Sequence, residues 1–210
     1  MKRQALLILL TLLTTFAFAQ PARQDTTTIY INPGYNKDPM RSKWVSKVEQ
    51  KGDLWELNLF DKKDVLREKI NFEDKRLTVR QGPYAFYENN FVKEEGNYDK
   101  GYKHGKWRYY HPNQQLLESV NYAWDKFNGL YQAYWDNGEL KKEGAYTRGN
   151  KIGNWKMFYK NKRLALNEDY DEVGNLIDGI YFDEVGNSVK KNLLCNQQVN
   201  LTVWRLFISF

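Results

Sequence analysis

The chain has 210 residues, with 32 Lys and Arg against 26 Asp and Glu, a formal net charge of +6. Its basic residues are interspersed with acidic ones, which excludes the dense cationic stripe that nucleic-acid binding demands. A single cysteine, Cys195, excludes an intrachain disulfide, so stability has to come from the sheet and core that one domain of this length can build.

The first 19 residues read as a targeting signal. Lys2 and Arg3 give the charged start, Ala5 to Phe16 is an apolar run, and Ala17-Phe18-Ala19 is a small-x-small cleavage pattern before Gln20. The run falls short of the about 20 apolar residues that a membrane-spanning helix needs, and no cysteine at the cleavage point calls for lipoprotein processing. An uncleaved membrane anchor is the alternative. Loss of Lys2 and Arg3 leaves 30 basic and 26 acidic residues, a net charge of +4. The expectation is an exported chain, periplasmic or associated with the outer envelope. Residues 20–50 then form a polar leader with one short strand, Thr27-Thr28-Ile29-Tyr30-Ile31, ended by Asn32-Pro33-Gly34.

Residues 51–190 repeat themselves. Gly105-Lys106-Trp107-Arg108-Tyr109-Tyr110 superposes without a gap on Gly129-Leu130-Tyr131-Gln132-Ala133-Tyr134 and on Gly153-Asn154-Trp155-Lys156-Met157-Phe158, at a spacing of 24 residues. In the same register fall Asn113, Asn137 and Asn161, then Val92, Leu116, Leu140 and Leu164, then Tyr98, Tyr122, Tyr146 and Tyr170. A fixed period of this size means a stacked array of one small unit. Each unit reads as strand, turn, strand and loop, with aromatic and polar residues alternating at period two. Asp136-Asn137-Gly138 supplies the positive φ angles of a tight hairpin turn. His111-Pro112-Asn113-Gln114 and Lys160-Asn161-Lys162 lack the glycine, and Gly149-Asn150-Lys151-Ile152 reads as the connecting loop. An earlier copy opens at Gly82, a truncated one at Gly179 after a two-residue insertion, and a degenerate one at Trp55. The spacing predicts hairpin turns near residues 89, 113, 137 and 161. Five hairpins at about 4.8 Å per strand would make a rod of roughly 48 Å. No segment shows a helical stripe.

The string Gly-Lys-Trp-x-Tyr-Tyr, followed by x-Asn-Gly-x-Leu, x-Glu-Gly-x-Tyr and Gly-x-Lys-x-Gly, resembles the MORN-repeat variant found in bacterial proteins labelled YwqK-type antitoxins. Asn137-Gly138-Glu139-Leu140-Lys141-Lys142-Glu143-Gly144-Ala145-Tyr146 carries the best match, and the resemblance covers about residues 82–190. It implies an all-β fold, a twisted single-layer antiparallel sheet of tandem hairpins, with no catalytic residues. Beyond Lys191 the composition changes. The segment 191–210 reads as a closing strand, as the product of a shifted reading frame, or as a barrel-type terminal signal with Trp204, Leu206, Ile208 and Phe210 on one parity. For the last reading no set of lipid-facing strands stands upstream.

Candidate sites follow from what such a sheet exposes. His104 and His111 sit in a loop and a turn without the further ligands a zinc site needs. The carboxylate pairs, such as Glu94-Glu95 and Asp183-Glu184, lack the cleft that a glycosidase pair flanks. Ser119 and Ser188 lack a nucleophile motif, and the near-duplicates Asp171-Glu172-Val173-Gly174-Asn175 and Asp183-Glu184-Val185-Gly186-Asn187 read as turns in preference to calcium loops. No metal or cofactor is expected. Trp107, Tyr109, Tyr131, Trp135, Trp155, Met157 and Tyr159 share one parity and read as a packing ladder. On the other parity, Arg108, Tyr110, Tyr134, Lys156 and Phe158 form the candidate binding row, since exposed aromatics spaced with cations suit interaction surfaces. The expected partner is another envelope protein. The alternatives are a glycan or peptidoglycan stacked on Tyr110, Tyr134 and Trp135, or toxin neutralisation. Export itself is testable: intact-mass analysis of the envelope fraction is expected to find a chain beginning at Gln20, and a chain retaining Met1 in the inner membrane refutes the signal.

Overall fold

The computed structural model describes residues 44–190, and within them the protein is all-β, without a helix. The strands are β1 (Val45–Lys51), β2 (Leu54–Phe60), β3 (Leu66–Phe72), β4 (Arg80–Glu88), β5 (Phe91–Asp99), β6 (Tyr102–Tyr110) and β7 (Leu116–Ala123). They continue as β8 (Lys126–Tyr134), β9 (Leu140–Thr147), β10 (Asn150–Phe158), β11 (Leu164–Tyr170), β12 (Leu176–Phe182) and β13 (Ser188–Val189). All thirteen lie in chain order in one open antiparallel sheet, each paired with its sequence neighbours. The tandem hairpins expected from the period are therefore present. They extend further toward the N-terminus than five copies would, because β1 begins inside the segment read as leader. Readings placed on residues 1–43 and 191–210 lie outside the described residues.

Between β5 and β11 two kinds of turn alternate, and each has its own chemistry, whereas β4 and β5 are joined by the two-residue turn Asn89-Asn90. At one end, His111 N donates to Gln115 O at 2.8 Å, Trp135 N to Glu139 O at 2.8 Å and Tyr159 N to Arg163 O at 2.9 Å. Inside these loops Asn113, Asn137 and Asn161 accept the N–H of Gln115, Glu139 and Arg163 on Oδ1. That bond is the reason asparagine recurs at the position. The next residue takes φ of +70° at Gln114, +83° at Gly138 and +68° at Lys162, so two L-residues occupy a site suited to glycine. At the other end the connections are two-residue turns with both φ values positive, at Lys100-Gly101, Trp124-Asp125 and Arg148-Gly149. The segment 149–152 is accordingly not a loop, since β10 begins at Asn150. The glycine expected to open the strand lies within it. Gly153 has φ of +60°, and the pairing of β10 with β9 shifts between Ile152 and Lys156, a bulge that bends the strand.

One face of the sheet is its core. Val48 pairs with Leu57, Leu57 with Ile70 and Ile70 with Tyr84. The row continues through Gly96, Trp107, Val120, Tyr131, Gly144 and Trp155. Trp107 and Trp155 are fully buried, although among the described residues no second layer covers them. Each indole lies against the neighbouring strand, where Gly96 and Gly144 have no side chain; a Cβ at either position would come within 2.3 Å or 2.2 Å of a ring carbon. Their Nε1 groups donate to Asn97 O and Ala145 O, both at 3.1 Å. Around Trp155 stand Tyr131 at 5.5 Å and Tyr146, edge-on, at 4.8 Å. Tyr84 and Tyr98 surround Trp107 in the same way. Gly144→Ala is expected to lower stability by about 1–3 kcal/mol through overpacking, whereas Lys162→Gly raises it by up to about 1 kcal/mol by relieving the left-handed backbone. Thermal unfolding of the two variants measures both signs.

Candidate binding face

The opposite face carries the row read from the sequence. Glu95 pairs with Arg108, Arg108 with Ser119, Ser119 with Gln132, Gln132 with Glu143 and Glu143 with Lys156. Arg108 is exposed, and its Nη1 stands 3.5 Å from Glu95 Oε1. The Tyr110 hydroxyl donates to the same oxygen at 2.7 Å. Burial, with the Glu95 carboxylate beside it, pushes the Tyr110 phenol up to about 12. Tyr134 donates to Gln132 Oε1 at 3.3 Å. Tyr110, Tyr134 and Phe158 face Leu116, Leu140 and Leu164 across the strand pairs, next to the five-residue loops. All three aromatics are half-buried.

Four of the five candidates therefore sit lower in the surface than Arg108 does. The expected contrast with Trp107 and Trp155 is present, since both are buried completely. Tyr131 departs from it, being half-buried like Tyr110, because its hydroxyl extends to Glu118 Oε2 at 3.0 Å. The candidates share one face but are not gathered into one pocket. An open depression of about 320 Å³ lies between Gln132, Glu143 and Lys156, with Leu130, Ile152 and Asn154 on its rim. The backbone of Gly144 and Gly153 forms part of its floor. Lys156 reaches it; Arg108, Tyr110, Tyr134 and Phe158 do not line it.

Trp135 and Tyr159 do not belong to the packing ladder. Both lie in the five-residue loops after the strands have ended. Trp135 Nε1 donates to Phe158 O at 3.0 Å and Tyr159 Oη to Phe182 O at 2.8 Å, while His111 Nε2 stands 3.3 Å from Tyr134 O. These equivalent residues staple one loop to the next. The Trp135 ring also faces Lys141 Nζ, 4.4 Å from its centroid. Asp171 accepts the N–H groups of Val173 and Asn175, and Asp183 those of Val185, Gly186 and Asn187, which makes both segments aspartate-closed turns.

The sequence reading missed the charges inside the aromatic face. Glu94, Glu118 and Lys142 follow the same 24-residue register, a signal that an eye on the aromatics passes over. Lys103 Nζ lies 3.9 Å from the Trp107 ring centroid and donates to the Tyr109 hydroxyl at 3.0 Å. Glu118, facing Lys142 and accepting from Tyr131, is held above the usual carboxylate range by burial. Lys142 is 8% exposed and its Nζ is 5.0 Å from the Trp155 centroid. Burial, with Lys151 and Lys141 nearby, pushes its ammonium down to about 8 despite Glu168 and Glu118.

No protein-family model matches the chain, and no curated protein matches it. Among solved structures, a mutant of S. aureus TarM in complex with Fondaparinux, alpha-GlcNAc-glycerol and UDP is similar over 52% of this chain and 21% of that one, at 12% identity and a TM-score of 0.34. A further crystal structure of TarM matches over the same shares at a TM-score of 0.33. The chain thus spans 21% of the TarM length, and a likeness of this degree says nothing about activity.

Lys142 gives the face a pH signature. Between about 8 and its ordinary value of 10.5, the unfolded chain holds a proton that the folded one has released, so stability rises with pH across that window. Below it the buried charge is a cost. Lys142→Met is expected to be more stable than the parent at pH 7 by on the order of 2 kcal/mol, with the advantage shrinking toward pH 10. Denaturant unfolding of both proteins at pH 7, 8.5 and 10 measures the difference.

Proposed function

We propose that this protein is a non-enzymatic, exported repeat module of the MORN-like kind that holds another envelope protein against one face of its sheet. The observation that carries this reading is the division of labour between the two faces. The aromatic rings and buried charges of one face are engaged with each other, whereas the other keeps Arg108 exposed, Tyr110, Tyr134 and Phe158 half-exposed, and an open depression beside Lys156. A shallow surface with rigid aromatics and nearby cations suits a protein partner, because such anchors carry most of the energy of an interface. A one-layer sheet also offers a reacting group no water-excluding walls.

Two variants separate recognition from packing. Tyr110→Ser with Tyr134→Ser removes the anchors, at about 2 kcal/mol or more each, but also uncovers Leu116 and Leu140. Arg108→Gln with Lys156→Gln removes the cations of the face without emptying it and without setting like charges opposite Glu95 and Glu143. Both double variants are expected to lose capture of envelope proteins by the immobilised mature chain, the charge variant with an unchanged melting temperature. Undiminished capture by the charge variant overturns this assignment of the face. Retention on purified cell wall that is lost with Tyr134→Ala shows a glycan ligand instead.

A further inference from the structure

The two edges of the sheet differ. At β1, Lys47, Glu49 and Lys51 stand along the strand, and Lys51 Nζ is 2.7 Å from Glu56 Oε1 on β2. Charges placed this way discourage strand addition. At the far edge, β12 pairs with β11 on one side over Leu176–Tyr181. On its other side, Tyr181 and Phe182 pair with the two residues of β13. Among the described residues no strand pairs with the outer side of Leu176–Ile180.

The side chains along that open stretch are aliphatic. Ile177 is 68% exposed, Ile180 47% and Leu176 40%, with Val173 and Val185 exposed in the loops at either end. Its one charge, Asp178, lies opposite Asp169 of β11, and Ile180 lies opposite Asn167. The surrounding charge is mainly acidic, with Arg163, which donates to Glu184 O and Val185 O, and Lys190 at its margin. From Leu164 to Val189 there are seven carboxylates and no Lys, Arg or His, whereas Lys126–Arg163 holds nine Lys and Arg and three carboxylates. An aliphatic strand edge set in an acidic field repels acidic chains and attracts basic ones.

We propose that the outer edge of β12 is a strand-addition site for an extended partner segment in which aliphatic residues alternate with lysine or arginine. Backbone pairing along Leu176–Ile180 supplies the binding, as in other sheet-edge complexes. A cation of the segment meets Asp178, and the adjacent aliphatic side chain packs on Ile177, because successive residues of a strand point to opposite faces. This surface is separate from the row of Arg108 and Tyr134, so either can fail without the other.

The test uses the full mature chain and three blocked nine-residue peptides: alternating Lys and Val, alternating Glu and Val, and the Lys and Val residues segregated into two blocks. Fluorescence anisotropy is expected to show the alternating Lys–Val peptide binding at least ten-fold tighter than the other two. Hydrogen exchange is expected to show new protection at Leu176–Ile180. Ile177→Lys and Asp178→Lys, at exposed positions, are each expected to weaken binding ten-fold without changing the melting temperature. Tyr110→Ser with Tyr134→Ser is expected to leave it unchanged. Equal binding of the Lys–Val block peptide, or protection arising elsewhere, overturns the proposal. So does an edge already protected in the free chain, or one protected by concentration-dependent self-association that Ile177→Lys abolishes, because the occupant is then the chain itself or a second copy.

Discussion

Among the described residues the sheet has no second layer to lay over its apolar face, and it meets that constraint by laying tryptophan across glycine. The indoles of Trp107 and Trp155 occupy the volume that a side chain at Gly96 or Gly144 would fill, so the neighbouring strand itself becomes one wall of the core. Tyrosines at 4.8–5.5 Å form the other walls, and the indole N–H groups end on backbone carbonyls. The arrangement recurs at twice the period of the sequence. Where tyrosine replaces tryptophan, at Tyr131, the preceding strand carries Val120 in place of glycine, because the smaller ring leaves room for a side chain.

This way of burying aromatics brings charge inside. Lysine stems extend over the rings and hold ammonium groups above them, as Lys103 does over Trp107 at 3.9 Å. Glutamates accept tyrosine hydroxyls, as Glu118 does from Tyr131. A thin core of this kind is stabilised by many local contacts between adjacent repeats, as in other stacked arrays. It leaves the second face more open, with Arg108 exposed and Tyr110, Tyr134 and Phe158 half-buried. It also leaves two strand edges, because an open sheet, unlike a closed barrel, has ends.

Much of this was legible in the sequence. The recurrence of glycine, aromatic, asparagine and leucine every 24 residues marks the hairpins and the turns at 113, 137 and 161, since local backbone geometry selects those residue types by steric and hydrogen-bonding rules that operate over a few residues. Alternation likewise separates Arg108 from Trp107 and Lys156 from Trp155 onto opposite faces, because the strand repeats every two residues. Tertiary structure decided the rest. Gly153 is a bulge within a strand, Trp135 a staple between loops, and Lys142 a desolvated amine, and each depends on a neighbour about a dozen to two dozen residues away. The extent of the sheet was decided in the same way. A strand such as β1 exists because β2 pairs with it, and the exposure of Leu176–Ile180 depends on how far β13 runs. Turn chemistry is written in adjacent residues, whereas burial and edge exposure are set by which strand lies alongside, and that is a property of the assembled sheet.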